Sequence, residues 1–250
     1  MSTASPSHHD HRFIRLNGTL NTRDLGGLPV SGNGRTRFGV FFRSDVPMDL
    51  QATDFERLAQ LGLSTVIDLR QTHELERDKN SLAARSGIDY QNVEIWGHIE
   101  AAGDQPTDPW DITAFYLRAL DHAGSGFVRV MTLLANARGA SLFHCTAGKD
   151  RTGLVAALLL EAVGVERDTI IEDFALTHDR IDPLRKRLLE DADKRGVKRS
   201  DFERLLGATP DLMLPALDYL ATRYGGATAY LKANGLSDEL LVTLKRKLVG

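Results

Sequence analysis

Apolar residues recur along the chain with two different periods. Short apolar or β-branched runs at Gly39–Arg43, Ser64–Leu69, Ile88–Ile95 and Ser141–Phe143 predict strands, and Phe13–Leu20 predicts a further short one. Helical spacing dominates elsewhere: Thr53–Leu61, Ile112–Asp121, Phe127–Ala137, Leu154–Val163, Asp168–Ala175, Asp182–Lys194, Pro210–Tyr224 and the stretch from Ser237 to Leu248. Boundary signals fit these spans. Thr53-Asp-Phe-Glu56 and Ser200-Asp-Phe-Glu203 read as capping boxes. Asp111 and Ser237 read as N-caps, Pro210 as a first helical residue, and Gly62 and Gly164 as helix stops. Glu74 opens a short helix and is placed to pair with Arg70, while Gly97–Pro109 reads as a loop.

Strands alternating with helices imply an α/β fold with a central, mainly parallel sheet flanked by helices. The C-terminal third is helical throughout and packs onto it. No repeat or linker divides residues 13–250, which read as one domain. Residues 1–12 are rich in Ser, His and Pro and read as a mobile tail. Its His8, His9 and His11 are either solvated or adventitious metal ligands.

Composition narrows the function classes. The 250 residues are 42% hydrophobic, enough for a sizeable core. A net charge of −3 gives no nucleic-acid footprint, and no polybasic run suggests a membrane tether. No apolar run is long enough to span a bilayer, and no apolar leader is evident. The one cysteine, Cys145, cannot form a disulfide within the chain. That fits a reducing compartment, hence the cytoplasm, with export by a route lacking a signal peptide left open.

The chemistry concentrates at Ala140-Ser-Leu-Phe-His-Cys145-Thr-Ala-Gly-Lys-Asp-Arg151-Thr-Gly153. It reads as strand, tight loop and helix start. Gly148 allows the sharp turn. Backbone N–H groups at a helix N-terminus cradle a phosphate dianion: Thr146, Ala147, Gly148 and Lys149 are the candidate binding residues. Cys145 is the candidate nucleophile, since a helix N-terminus with nearby cations favours a thiolate. Arg151 offers a planar fork matched to two phosphoryl oxygens. Thr152 is placed to hydrogen-bond the thiolate. His144 reads as an orienting residue rather than a proton carrier.

His144-Cys145-x5-Arg151 resembles the signature of cysteine-dependent phosphatases. The fuller loop is similar to the bacterial and fungal branch of tyrosine and phosphoinositide phosphatases, which includes dual- and triple-specificity forms. Asn21-Thr-Arg-Asp-Leu-Gly-Gly27 resembles that branch's NFRDLGG, with Thr22 in place of an aromatic. Phe42-Arg-Ser-Asp45, Val66-Ile-Asp-Leu-Arg-x3-Glu74 and Tyr230-Leu-x3-Gly235 agree as well, so the likeness covers roughly residues 17–249. It implies the fold of protein tyrosine phosphatases. It also implies hydrolysis of phosphotyrosine, with phosphoserine, phosphothreonine and phosphoinositides as further substrates. Inorganic phosphate is the product. The intermediate is a phosphocysteine, and no metal or cofactor is needed. The same resemblance makes 176–208 a helical lid, and Arg23 and Asp24 supports of the site. Turn chemistry is the other reading of Arg23 and Asp24.

The general acid is open among Asp150 in the loop, Asp68 at a strand end, and Asp108 or Asp111. Asp108-Pro109-Trp110-Asp111 resembles a scrambled form of the Trp-Pro-Asp acid loop of other tyrosine phosphatases. Asp150 is favoured because the resemblance places an acid within the loop; bracing Lys149 or Arg151 is its alternative. Asp68 comes second and is also a candidate substrate contact. The rival reading of the whole chain is a phosphate-recognition module without turnover. Such a module would ordinarily have lost Cys145 or Arg151.

Overall fold

The computed structural model describes residues 10–101 and 108–250. A single 3-10 turn at Asp10–Arg12 precedes β1 (Arg23–Asp24), a ribbon of β2 (Pro29–Val30) and β3 (Gly34–Arg35), and β4 (Phe41–Ser44). Helix α1 (Ala52–Gln60) leads to β5 (Leu63–Asp68), and α2 (Thr72–Arg77) leads to β6 (Asp89–Asn92). Then come α3 (Trp96–Ala101), α4 (Ile112–His122), α5 (Gly124–Asn136) and β7 (Ala140–His144). The remainder is helical: α6 (Asp150–Ala162), α7 (Arg167–Ala175), α8 (Thr177–Arg180), α9 (Asp182–Lys194), α10 (Arg199–Leu206), α11 (Pro210–Tyr224), α12 (Ala227–Ala233) and α13 (Asp238–Leu248).

The central sheet has the order β1-β4-β7-β5-β6. β1 is antiparallel to β4, and every other pair is parallel. Alternation along each strand feeds two cores. Phe41, Ile67 and Phe143 face the larger one, built with α4 to α7 and α11 to α13. Phe42, Val66 and Leu142 face the smaller one, with Leu58 of α1. This is the two-residue period of a sheet covered on both faces. Helix α6 is buried along nearly its whole length, from Arg151 to Leu160, so the residues at its start are fixed against the middle of the sheet.

Several local expectations change. Phe13–Leu20 is not a strand: Phe13 bridges Arg23 and Ile14 N–H bonds Thr22, but the chain then leaves the sheet. Asn17 is drawn to Asp54, and the Gly18 carbonyl accepts from Met48. Helix α1 starts before Thr53, because Asp54, rather than Glu56, accepts the Gln51 N–H at 2.8 Å. Helix α10 starts at Arg199, which leaves Ser200 inside its first turn. Residues 97–101 are helical, with Ile99 buried in the core; the rest of that expected loop up to 107 lies outside the described residues. The strand expected over Ile88–Ile95 is limited to Asp89–Asn92. Asp111, Ser237 and Pro210 act as expected.

The tail reading also changes at its end. Residues 1–9, with His8 and His9, lie outside the described residues, but Arg12 is buried and bonds Asp173 at 2.8 Å. Arg23 and Arg43 reach the same carboxylate at 3.2 and 2.6 Å. Burial alone would raise the Asp173 carboxyl. Arg23, Arg12 and Arg43 outweigh it and hold the group far below the carboxylate range. Burial, with Arg43 beside it, lowers Arg23 to about 9, so it stays charged at neutral pH.

This cluster ties the N-terminus, β1 and β4 to α7 through one residue. Asp173→Asn removes its counter-charge and leaves buried guanidinium groups facing each other. The variant is expected to lose about 3–5 kcal/mol of unfolding free energy at neutral pH. Urea denaturation measures this, and an unchanged midpoint would refute the role given to Asp173.

Candidate active site

The strand β7 ends at His144, and α6 begins at Asp150. The five residues between them form a loop whose carbonyls are all engaged from outside. Thr146 O accepts from Val46 N–H at 3.2 Å. Ala147 O and Gly148 O accept from Asn21 Nδ2 at 3.1 and 3.2 Å, and Arg43 also reaches Gly148 O at 2.9 Å. Lys149 O accepts from Gly153 N–H at 2.7 Å, as α6 gets under way. The N–H groups of residues 146–151 have no acceptor among the described residues. Backbone donors without partners are uncommon unless they are aimed at solvent or a ligand. Gly148 permits this path: its φ is +65°, and an added Cβ would sit 2.5 Å from the Ser44 carbonyl.

Cys145 is buried at the start of the loop. Its carbonyl lies 3.1 Å from His144 Nδ1. On the far side of the ring, Nε2 is 2.7 Å from Asn80 Nδ2. Asn80 Oδ1 accepts from Leu82 N–H, which fixes the amide as donor toward the imidazole. The ring proton therefore sits on Nδ1 and holds the Cys145 carbonyl, the orienting part expected of His144. Burial outweighs the pull of Asp68 and lowers the His144 pKa, so the ring is neutral at neutral pH.

Asp68 is not part of the loop's surface. It is fully buried, grips Arg70 Nε at 2.9 Å and Nη2 at 2.7 Å, and accepts from Tyr90 O–H at 2.7 Å. Burial would raise its pKa, but His144, Arg70 and Tyr90 outweigh it and hold the carboxyl well below its usual range. The structure places Asp68 behind His144, 3.3 Å from its Nε2, rather than at the surface of the loop.

Glu74 also departs from expectation. Arg70 precedes α2 rather than lying on it, so the helical i,i+4 pairing with Glu74 does not form. Instead Glu74 takes both ends of the Arg151 fork, at 2.5 and 2.8 Å, and accepts from Thr146 O–H at 2.5 Å. Burial would raise Glu74; the hydrogen bonds and charge of Arg151, with Thr146 and Gln71, bring it down to about 2. Arg151 also lies 5.6 Å from the Trp96 ring centroid. Its Nε is buried with no partner among the described residues, and so is Thr152 Oγ1. The loop thus holds two buried donors unused by the protein, one on each side chain that the sequence assigned to phosphate and thiolate.

Lys149 turns away from a free position over the loop. Its Nζ donates to the carbonyls of Leu205 and Gly207 at the end of α10, and lies 3.0 Å from Asp150 Oδ1. Asp150 keeps a 22% exposed side chain. Asp108 instead binds Arg204 at 2.8 Å on the surface, and Asp111 caps α4. Asp24 takes the turn role, accepting from Gly26 and Gly39 N–H at 2.7 Å each. Its neighbour Arg23 joins the Asp173 cluster. Ala147 packs on Ile181 and Leu184, so α9 touches the loop.

The Glu74–Arg151 pair has a defined pH signature. The Glu74 pKa falls from 4.5 to about 2 in the folded chain. Its contribution to stability is therefore complete above pH 4.5 and is lost as pH falls toward 2. Glu74→Gln is expected to cost about 3 kcal/mol at pH 7. The gap from the parent chain should shrink by pH 3. Urea titrations at both pH values test this; a gap that does not narrow in acid would refute the ion-pair account.

The comparisons with known proteins follow from this geometry. The profile of the tyrosine phosphatase family matches residues 14–250. A tyrosine-protein phosphatase of Nostoc commune is 32% identical over 210 residues, covering 80% of this chain and 70% of that protein. The triple specificity protein phosphatase PtpB of Mycobacterium tuberculosis is 28% identical over 280 residues, covering 94% of this chain and 98% of that protein. With a loop of partnerless amides between a buried cysteine and an arginine held by Glu74, the chain belongs to the tyrosine phosphatase family and is a cysteine-dependent phosphatase.

Proposed function

We propose that the chain hydrolyses phosphate monoesters, chiefly phosphotyrosine in proteins, through a phosphocysteine. The observation that carries this reading is the set of loop amides at 146–151, left without acceptors while the loop carbonyls are engaged. They match the equatorial oxygens of a phosphoryl group, with Arg151 Nε as a further donor. Cys145 Sγ attacks phosphorus. The S–P bond forms as the P–O ester bond breaks, and Asp150 gives its proton to the departing oxygen. Water then attacks the phosphocysteine, Asp150 takes back a proton, and the thiolate leaves with Thr152 Oγ1 as its hydrogen-bond donor. Inorganic phosphate departs. The loop amides and Arg151 supply the positive field throughout.

Phosphoserine, phosphothreonine and phosphoinositides form the second tier of substrates. The name of the Mycobacterium tuberculosis relative supports such breadth. Residues 176–208 act as a helical cover, linked to the loop through Ala147 and Lys149. Among the described residues no helix is long and apolar enough to cross a membrane, so phosphoinositides would be met at a membrane surface. We place the chain in the cytoplasm, where its lone thiol stays reduced.

Turnover of p-nitrophenyl phosphate in the presence of EDTA tests the reading, and Cys145→Ser tests its core. The variant should lose turnover and retain inorganic phosphate binding by calorimetry. Residual turnover in the purified variant would remove the phosphocysteine. A parent chain that binds phosphate without turning over any ester would favour the recognition module. Asp150→Asn should slow phenyl phosphate by about 10²–10⁴-fold, while the activated p-nitrophenyl ester is slowed far less.

A further inference from the structure

Tyr116 lies on α4, 34 residues before Asp150 in sequence. Its side chain is fully buried, and its ring meets Phe174 edge-on with centroids 6.4 Å apart. A buried phenol requires a hydrogen-bond partner. Here the hydroxyl donates to Asp150 Oδ1 at 2.5 Å. Lys149 Nζ reaches that same oxygen at 3.0 Å. Two donors therefore converge on Oδ1. No hydrogen bond engages Oδ2 among the described residues, and the side chain remains partly open.

We propose that Tyr116 is a positioning residue for proton transfer: it occupies Oδ1 of Asp150, so that the transferable proton resides on Oδ2, the oxygen open to the leaving group. The inference rests on Asp150 being the general acid. Its logic is steric and electrostatic. A proton on Oδ1 would point at the Tyr116 O–H and the Lys149 ammonium, which are both donors. The acid form therefore has a single orientation. When the ester P–O bond breaks, its electron pair takes the Oδ2 proton, and the new carboxylate is stabilised by the two donors on Oδ1. In the second half-reaction the attacking water returns a proton to Oδ2 as its oxygen bonds phosphorus and the S–P bond breaks. Tyr116 neither gains nor loses a proton. Burial, with Asp150 beside it, holds the phenol's pKa well above its ordinary value.

The same contact stabilises the carboxylate left after proton transfer. Lys149 and Arg151 face Asp150, while Cys145 and Arg43 lie near Tyr116. Removing the phenol takes away one hydrogen bond to the ionised carboxylate and leaves those charges in place. Tyr116→Phe keeps the ring and its contact with Phe174. For phenyl phosphate, the basic limb of the kcat/KM profile is expected to move up by about 1 pH unit. Loss of the fixed orientation should lower its plateau by about tenfold. p-Nitrophenyl phosphate, which needs little acid assistance, should change by less than about twofold.

Two further measurements separate this from a packing role and from failure of the acid assignment. In an Asp150→Asn background, Tyr116→Phe should add no further loss on phenyl phosphate. Protein carrying 3-fluorotyrosine at its five tyrosines has a stronger donor at 116, and its basic limb should move down, which reads the contact without any change of fold. If Asp150→Asn is selective for phenyl phosphate but neither tyrosine change moves the limb, the role of Tyr116 is overturned and the acid assignment stands. If Asp150→Asn slows both esters equally, both are overturned.

Discussion

Backbone hydrogen-bond accounting in five residues governs this molecule. Between β7 and α6 the chain must turn with its carbonyls outward and its amides inward. Each outward carbonyl needs a donor brought from elsewhere: Asn21 before β1, Arg43 from β4, Val46 just past β4. The order of the central sheet places β4 directly beside β7. That adjacency puts Arg43 and Val46 beside the loop. The inward amides follow by elimination, since each peptide unit has one donor and one acceptor pointing in opposite directions.

Arg43 links this loop to the deepest charge cluster. One guanidinium nitrogen holds Gly148 O and another holds Asp173. Behind the loop, three arginines share that single carboxylate. Arg12 Nε and Arg43 Nε also have no hydrogen-bond partner among the described residues. A stable core would ordinarily balance such charge. The excess positive charge lies behind the loop, where its field adds to that of the α6 N-terminus. On the other side Glu74 accepts from both Nη atoms of Arg151 and fixes its orientation.

The strand–loop–helix unit was legible because every signal in it is local. Short apolar runs, Gly148 at a positive φ and Gly164 at a helix stop lie within one stretch of chain. Cys145, Arg151 and Thr152 were nameable for the same reason. What was not legible depends on register between distant elements. Glu74 finds Arg151 only because α2 starts after Arg70. Asp68 points behind His144 because its strand pairs with β7 at that level, Asp68 opposite His144. Tyr116 reads in sequence as one more apolar position of a helix, and nothing near it announces Asp150. Asn80 sits in a loop without pattern. Capping residues misled where a buried carboxylate, Asp54, outcompeted the hydroxyl that the motif favours.

A carboxylate next to Arg151 has a mechanical consequence. Asp150 and Arg151 occupy consecutive positions in the first turn of α6, so the orientation of that turn fixes both. An acid on a separate loop must be carried in by closure; Asp108, on such a segment, is tied to Arg204 at the surface instead. The residue coupled to α10 is Lys149, whose ammonium binds its C-terminal end. Movement of α10 would release that ammonium from the Leu205 and Gly207 carbonyls while Tyr116, from α4, still held Oδ1. The end of α10 is therefore linked, through Lys149, to the same Asp150 oxygen that Tyr116 binds.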